Sequence, residues 1–94
     1  MVIVLLDYVA EIAEVDRHRA AHVAWLKLAL AEGRLVTAGR QVPLTGGVLI
    51  AKGTRAEVEA WAATDPFVTE GVATASFVEY TPSLAAPGLD ALLA

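Results

Sequence analysis

The chain opens on a run in which both alternating sets of positions are apolar. One set comprises Val2, Val4, Leu6 and Tyr8, and the other comprises Ile3, Leu5 and Val9. Only Asp7 interrupts the run. A strand that is apolar on both faces is covered on both faces in the folded protein. The pattern predicts a strand over residues 2–9, and helices can cover only one of its faces.

The longest helical pattern follows at residues 14–32 and stops at Gly33. Wound at roughly 100° per residue, its apolar arc comprises Val15, His22, Val23, Trp25, Leu26, Ala29 and Leu30. His22 lies near the middle of this arc, where an amphipathic helix usually carries an aliphatic side chain. An imidazole that faces the interior needs a hydrogen-bond partner. His22 is therefore either a satisfied core histidine or a functional group.

Two more strands follow, and a hairpin joins them. Residues 34–41 predict a strand near an edge of the sheet, with Gly39 as a bulge or a point of close approach. Residues 42–47 carry the proline and the paired glycines that are typical of a hairpin loop. Residues 48–52 are again apolar on both faces and predict the third strand.

Capping residues mark two helix starts. Thr54 and Glu57 match a capping box. The helix that they begin is predicted to stop around Thr64, because a residue that precedes proline disfavours helix. Asp65 is in the N-cap position of a second short helical piece, with Pro66 at its first position.

Residues 72–80 predict the last strand, and residues 81–94 predict a Leu-rich tail or a short docking helix. The order β-α-β-β-α-β favours the ferredoxin-like split βαβ arrangement of the α+β class. We assign residues 1–81 to one domain and residues 82–94 to a C-terminal tail.

The composition of the chain indicates a partner subunit. Hydrophobic residues make up 56% of the 94 residues and charged residues 19%, with a mean hydropathy of +0.56. A domain of this size has much surface and little interior, so we expect part of its apolar surface to meet another subunit. The sequence predicts a homodimer that packs sheet face to sheet face.

Charge and segment lengths exclude several classes of protein. A net charge of −4 with scattered basic residues argues against nucleic acid as a partner. The lack of cysteine excludes disulfides, thiolate catalysis and zinc–thiolate sites. No apolar run reaches the length of a membrane span, and residues 1–6 are too short for the core of a signal peptide. We therefore expect a cytoplasmic protein with no membrane partner.

The predicted topology brings distant residues to one end of the sheet. Strand 1 ends there, the first helix begins there, and the second helix and the strand 2–3 hairpin return there. Tyr8, His22, Asp65 and the 40–47 loop are therefore expected to converge. A carboxylate beside an imidazole fixes its tautomer and frees the other ring nitrogen to move protons. Asp65 is alternatively a plain helix cap, and both roles can hold at once.

Four stretches of the chain resemble the YCII-related (YciI-like) proteins. They are Arg19–Leu26, Glu32–Gly39, Thr45–Val48, and Thr64–Val68 followed by Gly71. The resemblance runs from strand 1 to about Tyr80. It implies a ferredoxin-like dimeric α+β barrel with an active site built on His22 and Asp65. It also implies an activity of the lyase or dehydrochlorinase type.

The chain departs from this family at Gly39-Arg40, where the family often has Gly-Pro. Arg40 at the rim of a pocket could bind a carboxylate or a phenolate, or could be solvated. We predict that Tyr8, Gly39, Arg40, Gly47 and Phe67 contact a small-molecule substrate, while His22 and Asp65 are catalytic.

The remaining candidates have simpler explanations. His18 and His22 are spaced i, i+4 but lack the glutamate of the metalloprotease motif, and we predict neither a metal nor a cofactor. Gly46-Gly47 could cradle an anion or form a plain turn, and Trp25 and Trp61 could be core or a substrate platform.

Three functions remain open at this point. The first is a cofactor-free enzyme that uses a His22–Asp65 pair for acid–base chemistry on a small acid or aromatic substrate. The second is a non-catalytic module that binds a ligand or a protein, because a fold alone fixes no activity. The third is a cofactor-free oxygenase on the same barrel.

Overall fold

The four predicted strands form one antiparallel sheet in the computed structural model, which describes residues 1–93. They are β1 (Val2–Tyr8), β2 (Leu35–Arg40), β3 (Gly46–Ala51) and β4 (Ala73–Glu79). The order across the sheet is β2-β3-β1-β4, and each neighbouring pair is antiparallel. The α+β class and the ferredoxin-like order predicted from the sequence are confirmed.

Helices pack on one face of this sheet. They are α1 (Ile12–Arg17), α2 (Arg19–Ala31), α3 (Arg55–Ala62) and α4 (Pro66–Thr69). The covered face forms the main core, with Val2, Val4, Leu6, Leu49, Ala51, Ala29, Leu35 and Val58 all buried. Burial of each larger side chain contributes about 1.5–3 kcal/mol, so this layer fixes α2 and α3 on the sheet.

The opposite face of the sheet is apolar but uncovered in the single chain. Ile3 pairs with Ile50 and with Val78 on its two sides, and Leu5 pairs with Val48. Residues directly opposite each other in a ladder share a face of the sheet. Leu5 is 36% exposed and Val78 is 53% exposed. We call these five residues, Ile3, Leu5, Val48, Ile50 and Val78, the outer face.

The opening helix is two helices, so the prediction of one helix over residues 14–32 is wrong. His18 separates α1 from α2 with φ −108° and ψ 3°. Val15 of α1 is buried in a second cluster beside Phe67, whereas α2 buries Ala29 in the main core. Each segment packs in a different cluster, and the helical backbone is interrupted between them at His18. A periodicity that assumes one axis does not detect this break.

The irregularity predicted at Gly39 lies elsewhere. The bulge in the β2–β3 ladder falls between Leu35 and Thr37, and a Cβ at Gly39 would meet nothing within 4 Å. The close approach is at Gly46, where a Cβ would overlap the carbonyl oxygen of Leu6. Glycine is required there because the backbone of β3 lies directly against β1.

Both predicted caps are present. The Thr54 hydroxyl accepts from the Glu57 N–H at 3.2 Å, and the Glu57 carboxylate accepts from the Thr54 N–H at 2.9 Å. Asp65 caps α4 by accepting from the Phe67 N–H at 3.0 Å. Helix α3 ends at Ala62, two residues before the predicted stop.

The predicted tail, residues 82–94, is described up to residue 93, and Ala94 lies outside the described residues. Asp90–Leu93 form a 3₁₀ turn, and Ala91 and Leu92 lie beside Met1, Lys52 and Gly53. Leu84 is 91% exposed. Within residues 1–93, none of the helices combines the length and the apolar character that crossing a membrane requires.

Candidate active site

A cavity of about 160 Å³ opens at the end of the sheet where β1 finishes. Helix α2 forms one wall, and β2 and β3 form another. Its apolar lining includes Leu6, Leu26 and Leu49, which are also part of the main core or packed against it. The core of the domain therefore continues directly into the floor of the site.

His22 and Asp65 meet at one side of this cavity. Helix α2 carries His22, and Asp65 lies at the start of α4. Their Nδ1 and Oδ1 atoms are 2.7 Å apart, with His22 7% exposed and Asp65 fully buried. His22 lines the cavity and Asp65 lies behind it. The contact expected from helix period and topology is present.

One oxygen of Asp65 serves two neighbours. Oδ1 contacts His22 and also accepts the Phe67 N–H. Oδ2 is buried, and no donor within residues 1–93 reaches it. The cap of α4 therefore fixes the position of the carboxylate that faces the imidazole, and the two roles predicted for Asp65 are compatible in geometry.

Phe67 holds the imidazole from its face. The two rings are nearly parallel, with an interplanar angle of 8° and centroids 3.9 Å apart. Tyr8 meets the edge of the Phe67 ring, with centroids 5.9 Å apart. Since Asp65 fixes the edge of the imidazole and Phe67 its plane, the ring of His22 has one defined orientation.

The five predicted binding residues all line the cavity: Tyr8, Gly39, Arg40, Gly47 and Phe67. Arg40 and Gly47 are the two ends of the predicted loop, and the residues between them do not line the cavity. Gln41 ties this hairpin to β1, because its Nε2 donates to the Leu6 carbonyl at 3.0 Å and to the Asp7 carboxylate at 3.2 Å.

Arg19 also lines the cavity, although the sequence did not predict it there. Its guanidinium lies 5.7 Å from the centroid of the Phe67 ring and donates to Asp16 at 2.9 Å. The pKa of Arg19 is raised, mainly by hydrogen bonding with the Tyr8 side chain and less by Asp16. Burial acts in the opposite direction and is a smaller effect than that of Tyr8. The available signal was spacing, since residues three apart on a helix share a face.

Two other candidates lie away from the cavity. Trp25 stacks on Trp61 with centroids 4.2 Å apart, and its Nε1–H donates to Thr64 at 3.0 Å. This stack joins α2 to α3 and does not line the cavity. His18 lies 3.5 Å from Glu14, on the neighbouring turn of the chain.

Two comparisons relate this architecture to known proteins. The sequence profile of the YCII-related domain matches residues 1–81. The fold is similar to a solved structure of 5-chloro-2-hydroxyhydroquinone dehydrochlorinase (TftG) from Burkholderia phenoliruptrix AC1100, in complex with 2,5-dihydroxybenzoquinone. The TM-score is 0.70 at 19% identity, over 85% of this chain and 93% of that chain. No curated protein matches this sequence.

Proposed function

The chain belongs to the YCII-related family, and on that premise we propose that it is a small acid–base enzyme that needs no resident cofactor. His22 is the proton-transfer group, and Asp65 orients it and stabilises its charge. The observation that carries this proposal is the buried 2.7 Å contact between Nδ1 and Oδ1 beside a cavity that His22 lines.

The geometry supports different roles for the two nitrogens of the imidazole ring. If Nδ1–H donates to Asp65, Nε2 carries the lone pair and acts as the base. The ring gains positive charge when Nε2 takes a proton, and the buried carboxylate stabilises that charge. Because Phe67 and Asp65 fix the ring, little reorganisation is needed at the moment of proton transfer.

The reaction class that fits this arrangement is an elimination. Nε2 removes a proton from the substrate, the electrons of that bond form a new double bond, and a leaving group departs with its own electron pair. Removal of hydrogen chloride is one such reaction, and it is the activity named for the structural neighbour TftG. We therefore propose a lyase of the dehydrochlorinase type that acts on a small acid or aromatic molecule.

Turnover separates this proposal from a binding module on the same fold. The first substrate to test is 5-chloro-2-hydroxyhydroquinone, with chloride release as the readout. His22→Gln should reduce turnover by about 10²–10⁴-fold and leave the fold nearly intact. The matched control is His18→Gln, which removes a histidine outside the cavity and should retain turnover.

A purely structural His22 gives the opposite result. His22→Gln would then destabilise the chain by about 1–3 kcal/mol through a poorly paired buried group, and the folded fraction would keep its activity. That outcome refutes the catalytic assignment of His22. Failure of the wild type to release chloride from this compound refutes it as the substrate, and a panel of related small acids then tests the reaction class.

We also propose that the active form is a homodimer in which two outer faces pack together as a barrel. The helices cover one side of the sheet, while the five apolar side chains of the outer face are exposed or half-buried in the single chain. Apolar surface of this kind is stabilised by a partner.

A further inference from the structure

Two arginines from different elements line the cavity beside His22. Arg19 lies in the first turn of α2, and Arg40 is the last residue of β2. Arg40 pairs with Gly47 across the hairpin, and a Cβ on Gly47 would lie 3.7 Å from Cδ1 of Leu6 on the cavity floor. The same Cβ would lie 3.2 Å from the Gly39 carbonyl oxygen, so a side chain at position 47 would crowd the backbone next to Arg40.

The charge of this cavity is opposite to that of the protein. The chain has a net charge of −4, yet the residues that line the cavity include two arginines and no carboxylate. Arg19 is paired with Asp16 at 2.9 Å. Arg40 has no salt bridge in the part of the chain that the structure describes. Its charge is therefore available to a ligand.

The size and the apolar lining of the cavity favour a small ring. Leu6, Leu26 and Leu49 line its floor, and its volume is about 160 Å³. An apolar cavity of about 150 Å³ accommodates benzene, so the space suits one ring with small substituents. A guanidinium donates hydrogen bonds to anionic oxygens, either to two oxygens in one plane, as in a carboxylate, or to a single oxygen at the edge of such a ring.

We propose that the site binds a planar one-ring molecule with two negative charges. Arg40 binds the second charged group and so favours such a ligand over one with a single charge. The inference rests on the proposed function because it concerns the same cavity. It is a statement about binding, however, and does not require turnover. Arg40 thereby becomes a specificity-determining residue of this chain.

A matched pair of probes tests this inference by calorimetric titration. The first is 2,5-dihydroxybenzoquinone, which has two acidic hydroxyls, and the second is its monomethyl ether, 2-hydroxy-5-methoxybenzoquinone, which has one. At low ionic strength the wild type should bind the first about 10-fold more tightly. The preference should shrink as salt is added, because Arg40 is exposed.

Three variants assign the preference to Arg40. Arg40→Gln should lower it to about 2-fold or less, and Arg40→Lys should keep part of it because the charge remains. The control is Arg17→Gln, which changes the net charge equally but lies on α1 outside the cavity. Arg17→Gln should keep the full preference.

Several outcomes would overturn the inference: equal binding of the two probes by the wild type, an unchanged preference in Arg40→Gln, or no binding of either probe. Displacement of the first probe by equimolar inorganic phosphate would identify a phosphate site instead of a planar one. Repeating the titration with His22→Gln separates this inference from the proposed function. If the protein prefers the first probe but turns over no substrate in any panel, this inference stands and the proposed function fails. If the protein turns over a substrate but binds the two probes equally, this inference fails and the proposed function stands.

Discussion

Asp65 has two roles, because one of its oxygens accepts from a backbone N–H and also faces an imidazole. The two roles are separable by substitution. Serine caps helices about as well as aspartate, but its shorter side chain does not reach His22.

We predict that Asp65→Ser and Asp65→Ala lose turnover equally, by about 10²-fold or more, because each leaves His22 without its carboxylate. Asp65→Ala should be less stable than Asp65→Ser by about 1 kcal/mol, since only serine keeps the cap of α4. Urea denaturation and the same chloride assay measure the two effects. A large difference in turnover between the two variants would show that the cap itself governs activity.

Among single residues, the sequence predicted the His22–Asp65 pair but not the neighbouring Arg19. His22 was noticeable because a polar ring stands in an apolar arc, and Asp65 because it precedes a proline at a helix start. Arg19 is not unusual by itself, because an arginine near the start of a helix is ordinary, and only its spacing of three residues from His22 indicated a shared face. Its place beside Phe67 depends on the tertiary position of α4, which no local pattern encodes.

Among the elements, α3 is stabilised at its start by the Glu57 carboxylate of the capping box. Hydrogen bonds from the Thr54 backbone N–H, and then from the Thr54 side chain, hold the pKa of Glu57 below its ordinary value of 4.5. A group whose pKa is lower in the folded state stabilises the fold above its unfolded pKa. That contribution is lost as the pH falls through the folded pKa.

We predict that the stability difference between the wild type and Glu57→Gln is constant near neutral pH and shrinks below about pH 4.5. Glutamine keeps the geometry of the capping box but does not titrate. Urea denaturation of both proteins across this range measures the difference. A difference that does not change with pH would contradict the assigned role of the Glu57 carboxylate.

Elements defined by local chemistry were predictable, and those defined by distant contacts were not. The caps of α3 and α4 follow from residues within four positions of each other. The break at His18 follows from Val15 packing near Phe67, which lies more than fifty positions away in sequence. The close approach at Gly46 likewise depends on β1, although the paired glycines marked a turn.

For the whole molecule, we expect the outer face to determine the oligomeric state. We predict that the wild type sediments at twice the 9.9 kDa mass of the chain at micromolar concentration. Leu5→Lys should shift it to monomer, because a charge buried between two sheets without a partner is strongly disfavoured.

The control for this prediction is Val42→Lys, which adds the same charge at a residue that is 96% exposed on the hairpin loop. It should leave the dimer intact. A wild-type monomer at micromolar concentration, with no loss of stability on dilution, would refute the dimer. The pattern of residues 2–9 indicated the uncovered face, but a single sequence does not identify what covers it.

The shared oxygen of Asp65 affects how other members of this family should be interpreted. A relative that has lost the chemistry still needs an acceptor at the start of α4, so selection for folding alone preserves a capping residue there, which aspartate, asparagine or serine can supply. His22 has no comparable role in capping, so the need for a cap at the start of α4 does not preserve it once proton transfer is no longer needed. If His22 is the proton-transfer group proposed above, histidine at this position distinguishes active members of the family from inactive descendants, whereas a capping residue at the position of Asp65 does not.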